Sequence, residues 1–399
     1  MTQRQNQSSV GSKFFPLPWA IFLTVLIFSA CQSSSKEAAS TTGFDPDKDY
    51  FPDKVEVNHS VGFGVEYESH YKTLHIFRHY NDLADTVSYL LLQRGTPAPE
   101  TDLPIIEVPV QRVVSMSTTH LGMFDMLDGM EALKGIEIAQ YVTSAKVKQA
   151  VTDGKIMEVA PAGTLNVESV IGLNVDLLLG VGYPNSQNEA YQQLERTGIP
   201  VLLNADWQET DLLGRAEWVK LLAVLLNKEA MVNEKFRAIE AEYNRVLNLV
   251  ENKTTDAPLT ITGIALGDAW HVAGGRSFAY KLLQTVRADY PWKNDQTTGS
   301  IKLDFETVYE FGLRADFWMV PGSAKTLDEV LSRDTRYADF RAFKKQQIYN
   351  IFGRYTEGGG NDYYETGVVE PHVILKDIVK IFHPELLPEH ELVYHIQLK

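Results

Sequence analysis

The sequence predicts an α/β fold: two lobes with mainly parallel sheets, joined by one long rigid helix, plus an N-terminal strand-rich extension. Three observations predict it. The stretch 228–250 (KEAMVNEKFRAIEAEYNRVLNLV) repeats Val232, Phe236, Ile239, Tyr243, Val246, Leu247 and Val250 at three- and four-residue steps, uninterrupted by Gly or Pro, which is the pattern of one amphipathic helix. At 1.5 Å per residue it is roughly 35 Å long, enough to bridge two domains. From Gln111 onward, short apolar runs alternate with amphipathic ones, the βαβ rhythm of a parallel sheet covered by helices. The chain also looks alike on either side of the long helix. NVESVIGLNVDLLLG (Asn166 to Gly180) and DFETVYEFGLRADFWMV (Asp304 to Val320) each run from a hydrophobic residue through Glu, Ser or Thr and Val to an acidic residue, Asp176 or Asp316, before a strand. This weak internal repeat implies two related lobes.

The 399 residues, 44% hydrophobic and 22% charged, supply one large core or two medium ones. Residues 1–31 stand apart from that fold. Arg4 and Lys13 give a positive start, Phe14 to Phe28 an apolar run broken by Pro16 and Pro18, and Phe28-Ser29-Ala30-Cys31 a small-residue cleavage site. That run is too short and too broken for a spanning helix. The segment resembles the lipobox of bacterial lipoproteins, in which the cysteine becomes the lipidated first residue; Phe28 stands where Leu is usual. Cys31 is the only cysteine, so no disulfide framework is available. Losing Arg4 and Lys13 takes the formal charge from −15 to −17, which argues against nucleic acid or an anionic bilayer as a surface partner. Residues 32–60 begin small and polar (QSSSKEAASTTGFDPDKD) and read as a tether.

Residues 61–110 hold four β-type stretches, VGFGVEY, YKTLHIF, DTVSYLLLQ and LPIIEVPV. They read as short antiparallel strands packed on the first lobe, with Tyr71 and Lys72 at a turn and Gly95 to Pro104 as a loop. His75 and His79 lie four apart, but in an alternating pattern they share no helical face. Residues 111–227 form lobe one. RVVSMS is its opening strand, followed by a helix from His120 to Met130 that Thr118 or Thr119 caps. Further strands are expected at Leu133 to Ile138, Ile156 to Val159, Val175 to Val181 and Val201 to Asn204, with helices at Val167 to Leu173, Ser186 to Thr197 and Asp211 to Leu226. The bridging helix occupies 228–251. Lobe two, 252–399, is expected to carry strands at Leu259 to Leu266, Trp270 to Val272, Phe317 to Val320, Gln346 to Phe352 and Leu392 to Ile396. Its helices fall at Ser277 to Thr285 and Pro371 to Phe382.

In open parallel sheets a ligand sits beyond the carboxyl ends of the strands. On lobe one that edge carries Ser117, Thr118, His120, Tyr141, Tyr183 and Trp207. On lobe two it carries Trp270, His271, Arg276, Tyr290 and Trp292. Gly358 to Asn361 form a flexible loop that brings in Tyr363 and Tyr364. Recurring aromatics suit a large, flat or partly apolar ligand, and Arg276 and Arg354 offer bidentate donors to an anionic group. No G-x-S-x-G, no H-E-x-x-H and no paired cysteines occur, so nothing pairs a nucleophile with a base. The chain reads as a binder rather than an enzyme, without a cofactor.

From Gln111 to Lys399 these pieces resemble the class III substrate-binding proteins of ABC importers for cobalamin, ferric siderophores and haem. RVVSMSTTHLGMFDML, NVESVIGLNVDLLLG, WHVAGGRSF, LDFETVYEFGLRADFWMV and HPELLP carry the likeness, the Asn-x-Glu and Asp-Leu phrase most of all. The resemblance implies two α/β lobes on a single long helix and a monomer. It also implies a lipid anchor on Cys31 in a bacterial membrane facing the periplasm, and partners in an ABC permease with its ATPase subunits. Family members dock through one acidic residue on each lobe; by motif these are Glu168 and Glu306. The strand-rich region from Val61 is longer than the family's usual entry.

The leading expectation is therefore a tethered protein that captures an iron chelate, a ferric siderophore or haem, with the metal held through the chelate and not by the protein. A cobalamin or other corrinoid is the alternative within the family. An extracytoplasmic α/β hydrolase, or a free-metal binder using His120 and His271, are alternatives of other classes. Trp207, Trp270 and Trp292 are the tryptophans expected near the ligand.

Overall fold

Period-two alternation builds the first sheet of the computed structural model, which describes residues 43–80, 83–182, 189–253 and 257–399. Strands β1 (Phe63–Tyr67), β2 (Tyr71–Tyr80), β3 (Leu83–Gln93) and β4 (Ile105–Val108) lie in that order. The first three are antiparallel and β4 runs parallel to β3, a departure from the all-antiparallel expectation that the long 93–105 connection makes possible. Tyr71 and Lys72 open β2 instead of forming a turn. Lys72 shares the inward face with Leu74 and Ile76, and all three are buried, because alternate residues of a strand point the same way.

Lobe one then alternates strand and helix. Its elements are β5 (Val113–Ser115), α1 (Thr118–Met126), β6 (Leu133–Ile136), α2 (Ala145–Thr152), β7 (Met157–Glu158), α3 (Val167–Gly172), β8 (Leu177–Val181), α4 (Glu189–Arg196), β9 (Val201–Asn204), α5 (Leu212–Glu217) and α6 (Val219–Leu226). The strands form a sheet in the order β7-β6-β5-β8-β9, parallel throughout. The chain leaves β5 in one direction and returns beside it as β8, which places a crevice at the carboxyl ends of these two strands. Ser117, not Thr118 or Thr119, caps α1: its side chain accepts the Thr119 N–H. Helix α2 was not evident in the sequence, since Val147 is its one buried residue. The helix expected over 211–226 is two, separated at Trp218.

Helix α7 (Glu229–Lys253) is continuous over 25 residues. Asn227 precedes it in the left-handed conformation, φ 53°, a usual way to end one helix before another begins. Val232, Phe236, Tyr243, Val246 and Val250 are buried, and the helix packs on α6 of lobe one and on the C-terminal helix of lobe two.

Lobe two comprises β10 (Thr260–Thr262), β11 (Ala265–Leu266), β12 (Ala269–Ala273), α8 (Phe278–Thr285), β13 (Ser300–Leu303), α9 (Phe305–Gly312), β14 (Phe317–Met319), α10 (Leu327–Arg333), α11 (Arg341–Lys344), β15 (Ile348–Asn350), α12 (Pro371–Phe382) and β16 (Ile396–Gln397). Its main sheet is β10-β14-β15-β16, parallel except for β16. A second sheet, β11-β12-β13, is antiparallel. The strand expected from Leu259 to Leu266 breaks at Gly263, whose φ of +74° and close approach to the His271 carbonyl leave no room for a side chain. Trp270, Trp318, Tyr337 and Phe340 stack into a buried aromatic core.

The lobes also touch beside the helix. The Glu365 carboxylate accepts the N–H groups of Thr143 (2.6 Å) and Ser144 (2.9 Å), and Thr143 donates its hydroxyl to Asp362 at 3.0 Å. Gly122 in α1 lets the Glu365 backbone lie directly on it.

Candidate ligand cleft

The carboxyl ends of β5, β6 and β8 open into a cleft of about 750 Å³, within the range typical of small-molecule sites. Its lobe-one wall holds Ser117 and Thr118 at the start of α1, Glu137 just after β6, Tyr141, and Tyr191 from α4. Ser323, Phe352, Tyr355, Asn361 and Tyr364 face them from lobe two. Tyr141 is 49% exposed and Tyr364 43%, high values for tyrosines beside a core. The loop carrying Gly358 to Asn361 is a hydrogen-bonded turn, with the Thr356 N–H donating to the Gly360 carbonyl at 2.8 Å, seated on Gln140 and Tyr141.

A second compartment of about 440 Å³ continues on the lobe-two side. Tyr364 lines both, so the two compartments of the groove adjoin at that side chain. Trp207 enters from lobe one and donates its indole N–H to the Gly182 carbonyl at 3.0 Å. Arg215 stands beside it, ion-paired with Asp206 at 2.9 Å and lying over the Phe278 ring. His271, Tyr363 and His395 complete this wall. His395 is 2% exposed, and its Nδ1 lies 3.2 Å from Asp377. Burial works to raise the Asp377 carboxyl, yet hydrogen bonds from His390 and His395 and from backbone N–H groups hold it well below the usual carboxylate range. Burial pushes the Tyr363 phenol far upward.

Ser117, Thr118, Tyr141, Trp207, His271, Tyr363 and Tyr364 therefore lie on the groove, and six other expected residues do not. His120 is 1% exposed, turned into lobe one against Ser115 Oγ at 2.9 Å, and burial pulls it down to about 3. Trp270 is fully buried in the aromatic core, its indole N–H donating to the Thr262 carbonyl at 2.9 Å. Trp292 packs edge-on against Tyr290 and Phe311, and Tyr290 itself is fully buried. Arg276 is exposed and outside both compartments. Arg354 ion-pairs with Asp362 at 3.2 Å and lines a neighbouring depression that shares Leu121 and Tyr355 with the larger compartment. Tyr183 and Cys31 lie outside the described residues. Glu168 and Glu306 are exposed in the first turns of α3 and α9, capped by Asn166 and Asp304.

Sequence reasoning missed Glu137, Arg215, Tyr355 and His395. Glu137 and Tyr355 had a usable signal, since each lies just past a strand end. Arg215 and His395 had none, because they reach the groove only through the packing of α5 and the C-terminal segment. Among the described residues no group of three or more His, Cys, Asp or Glu is placed to hold a metal ion, and no helix is long and apolar enough to cross a membrane.

Comparison with known proteins agrees with this geometry. A family model described as periplasmic binding protein matches residues 113–355. An uncharacterized lipoprotein of Methanocaldococcus jannaschii is 27% identical over 314 residues, 74% of this chain and 72% of its own length. A second lipoprotein of that organism is 25% identical across 97% of this chain and 100% of its own length. Solved structures of the same fold include the periplasmic heme binding protein HutB of Vibrio cholerae, with TM-score 0.51, 18% identity, 67% of this chain and 98% of that one. Helicobacter pylori CeuE, solved with Ni(II) bound, has TM-score 0.52 and 17% identity over 72% of this chain and 92% of that one. With its matching family model and its two α/β lobes on one long helix, the chain belongs to the periplasmic binding protein family.

Proposed function

We propose that this protein is the substrate-binding lipoprotein of an ABC importer, held outside the cytoplasm by a lipid on Cys31, which captures an iron chelate between its lobes and delivers it to the permease. The observation that carries this reading is the groove, where Tyr141, Tyr191, Phe352, Tyr355 and Tyr364 from both lobes enclose about 750 Å³. Aromatic faces bury a large apolar ligand surface, and Ser117, Thr118 and Asn361 supply the hydrogen bonds that orient it. Iron or haem chelates are favoured because a haem-binding protein shares the fold. Lipoprotein relatives support the anchor.

Delivery follows from Glu168 and Glu306. One exposed carboxylate on each lobe lets basic groups of the permease read the spacing of the lobes, and each also favours its own helix N-terminus. Continuous α7 and the Glu365 contacts support a small lobe closure on binding.

A corrinoid is the second reading, supported by the same size and aromatic lining. Titration of the full chain with haem, ferric siderophores and cobalamin, followed by tryptophan emission, tests both. Saturable quenching by an iron chelate with cobalamin silent supports the first; cobalamin alone supports the second. Binding of none of the three overturns the importer reading.

A further inference from the structure

Charge inside the groove is distributed unevenly, and this deepens the chelate reading on which it rests. Among the described residues lining the larger compartment there is no Lys, Arg or His, and the one formally charged side chain is Glu137. No hydrogen bond or ion pair from the described residues reaches its carboxylate. Glu137 is exposed to the groove but enclosed behind, and burial raises its carboxyl above the ordinary value. The smaller compartment holds Arg215, ion-paired with Asp206 at 2.9 Å, with His271 and His395 on the same wall. The two arginines that the sequence offered to an anion are elsewhere: Arg276 faces solvent and Arg354 is engaged by Asp362. Lys325 lies over the Tyr355 ring at 3.9 Å and is outside the lining. A ligand with carboxylates or catecholates would thus enter a groove with one unpaired anion and no uncommitted guanidinium. A cation meets the reverse, because tyrosine and phenylalanine faces attract positive charge and a partly desolvated carboxylate does so more strongly.

We propose that the groove selects a metal chelate bearing a positive charge, such as a protonated amine on a neutral ferric trihydroxamate core, with Glu137 receiving the amine beside Tyr191. The uncharged core fills the aromatic compartment. The amine brings the counter-charge that the carboxylate lacks within the protein.

The test compares three ligands on the full chain and its Glu137→Gln variant by calorimetry: an amine-bearing ferric trihydroxamate, the same chelate with its amine acetylated, and haem, whose propionates are anionic. The amine-bearing chelate should bind about tenfold more tightly than the acetylated one, the scale of one partly desolvated charge contact. Glu137→Gln should reduce that preference to about twofold or less, and a preference that survives the substitution overturns the role given to Glu137. Glu137 is solvent-accessible, so the variant retains its fold, checked by an unaltered unfolding midpoint. Equal binding of the two trihydroxamates, or haem binding tightest, overturns the inference and leaves the chelate reading standing. If no chelate binds, the reading beneath it fails as well.

Discussion

Lys72 of β2 and Glu229, the first residue of α7, form an ion pair with side chains 0% and 5% exposed. Lys72 also donates to the Val224 carbonyl at 2.7 Å and to Asn227 at 2.8 Å, and lies 4.3 Å from the centre of the Phe51 ring. Burial pulls Lys72 down and pushes Glu229 up, each toward neutrality, and each supplies the other's counter-charge. The strand-rich extension is thereby fixed to the point where lobe one passes into the bridging helix.

Breaking one side of such a pair leaves an uncompensated buried charge, so Lys72→Met or Glu229→Met should each cost about 3–5 kcal/mol. The double variant should cost much less than the two singles together. Urea unfolding of all four proteins measures this, and additive losses would show that the two groups are not coupled.

His120 makes stability depend on pH. Its folded value of about 3 lies below the ordinary 6.5, so between those limits the unfolded chain binds a proton that the native one does not. Stability therefore falls as pH drops below 6.5, by about 1.4 kcal/mol per unit, and above 6.5 the residue contributes no slope. His120→Asn should lose about 3 kcal/mol less than the parent between pH 7 and 4. Parallel curves over that range would contradict it.

Asp377 positions His395 on the groove wall and accepts the backbone N–H groups of Val393, Tyr394 and His395. Asp377→Ala should destabilise by about 3–5 kcal/mol, as expected for removing a buried, fully hydrogen-bonded charge. It should also weaken chelate binding. Hydrogen exchange at residues 393–395 reports the release directly.

Among the described tryptophans Trp207, 38% exposed, is the one that lines the groove, while Trp218, Trp270 and Trp318 are fully buried and Trp292 packs in lobe two. Trp207→Phe should remove most ligand-induced quenching while binding, read by calorimetry, changes about threefold or less. Undiminished quenching would place the ligand elsewhere.

For the docking proposal, Glu168→Ala combined with Glu306→Ala should abolish uptake in cells and leave chelate affinity unchanged. A matching loss of affinity would assign these residues to the fold or the groove.

Local pattern determined a good deal by itself. Period 3.6 without a breaker dictated α7, Pro371 at the first turn fixed the start of α12, and the βαβ rhythm put the groove at the ends of β5, β6 and β8. Ser117, Thr118 and Tyr141 follow from chain direction alone, because a parallel strand delivers what comes after it to the same edge. Tertiary structure decided which way the other side chains turn. His120 and Thr118 are two residues apart on α1, yet one enters the core and the other the groove, according to which face of the helix meets lobe one. Trp270 goes inward because β12 lies over β10, and Lys72 is buried because the extension packs its inward face on lobe one. Arg215 and His395 reach the groove only once α5, α12 and the C-terminal strand have come together. Periodicity tells which residues share a face; only the partner packed on that face tells whether they meet core, solvent or ligand.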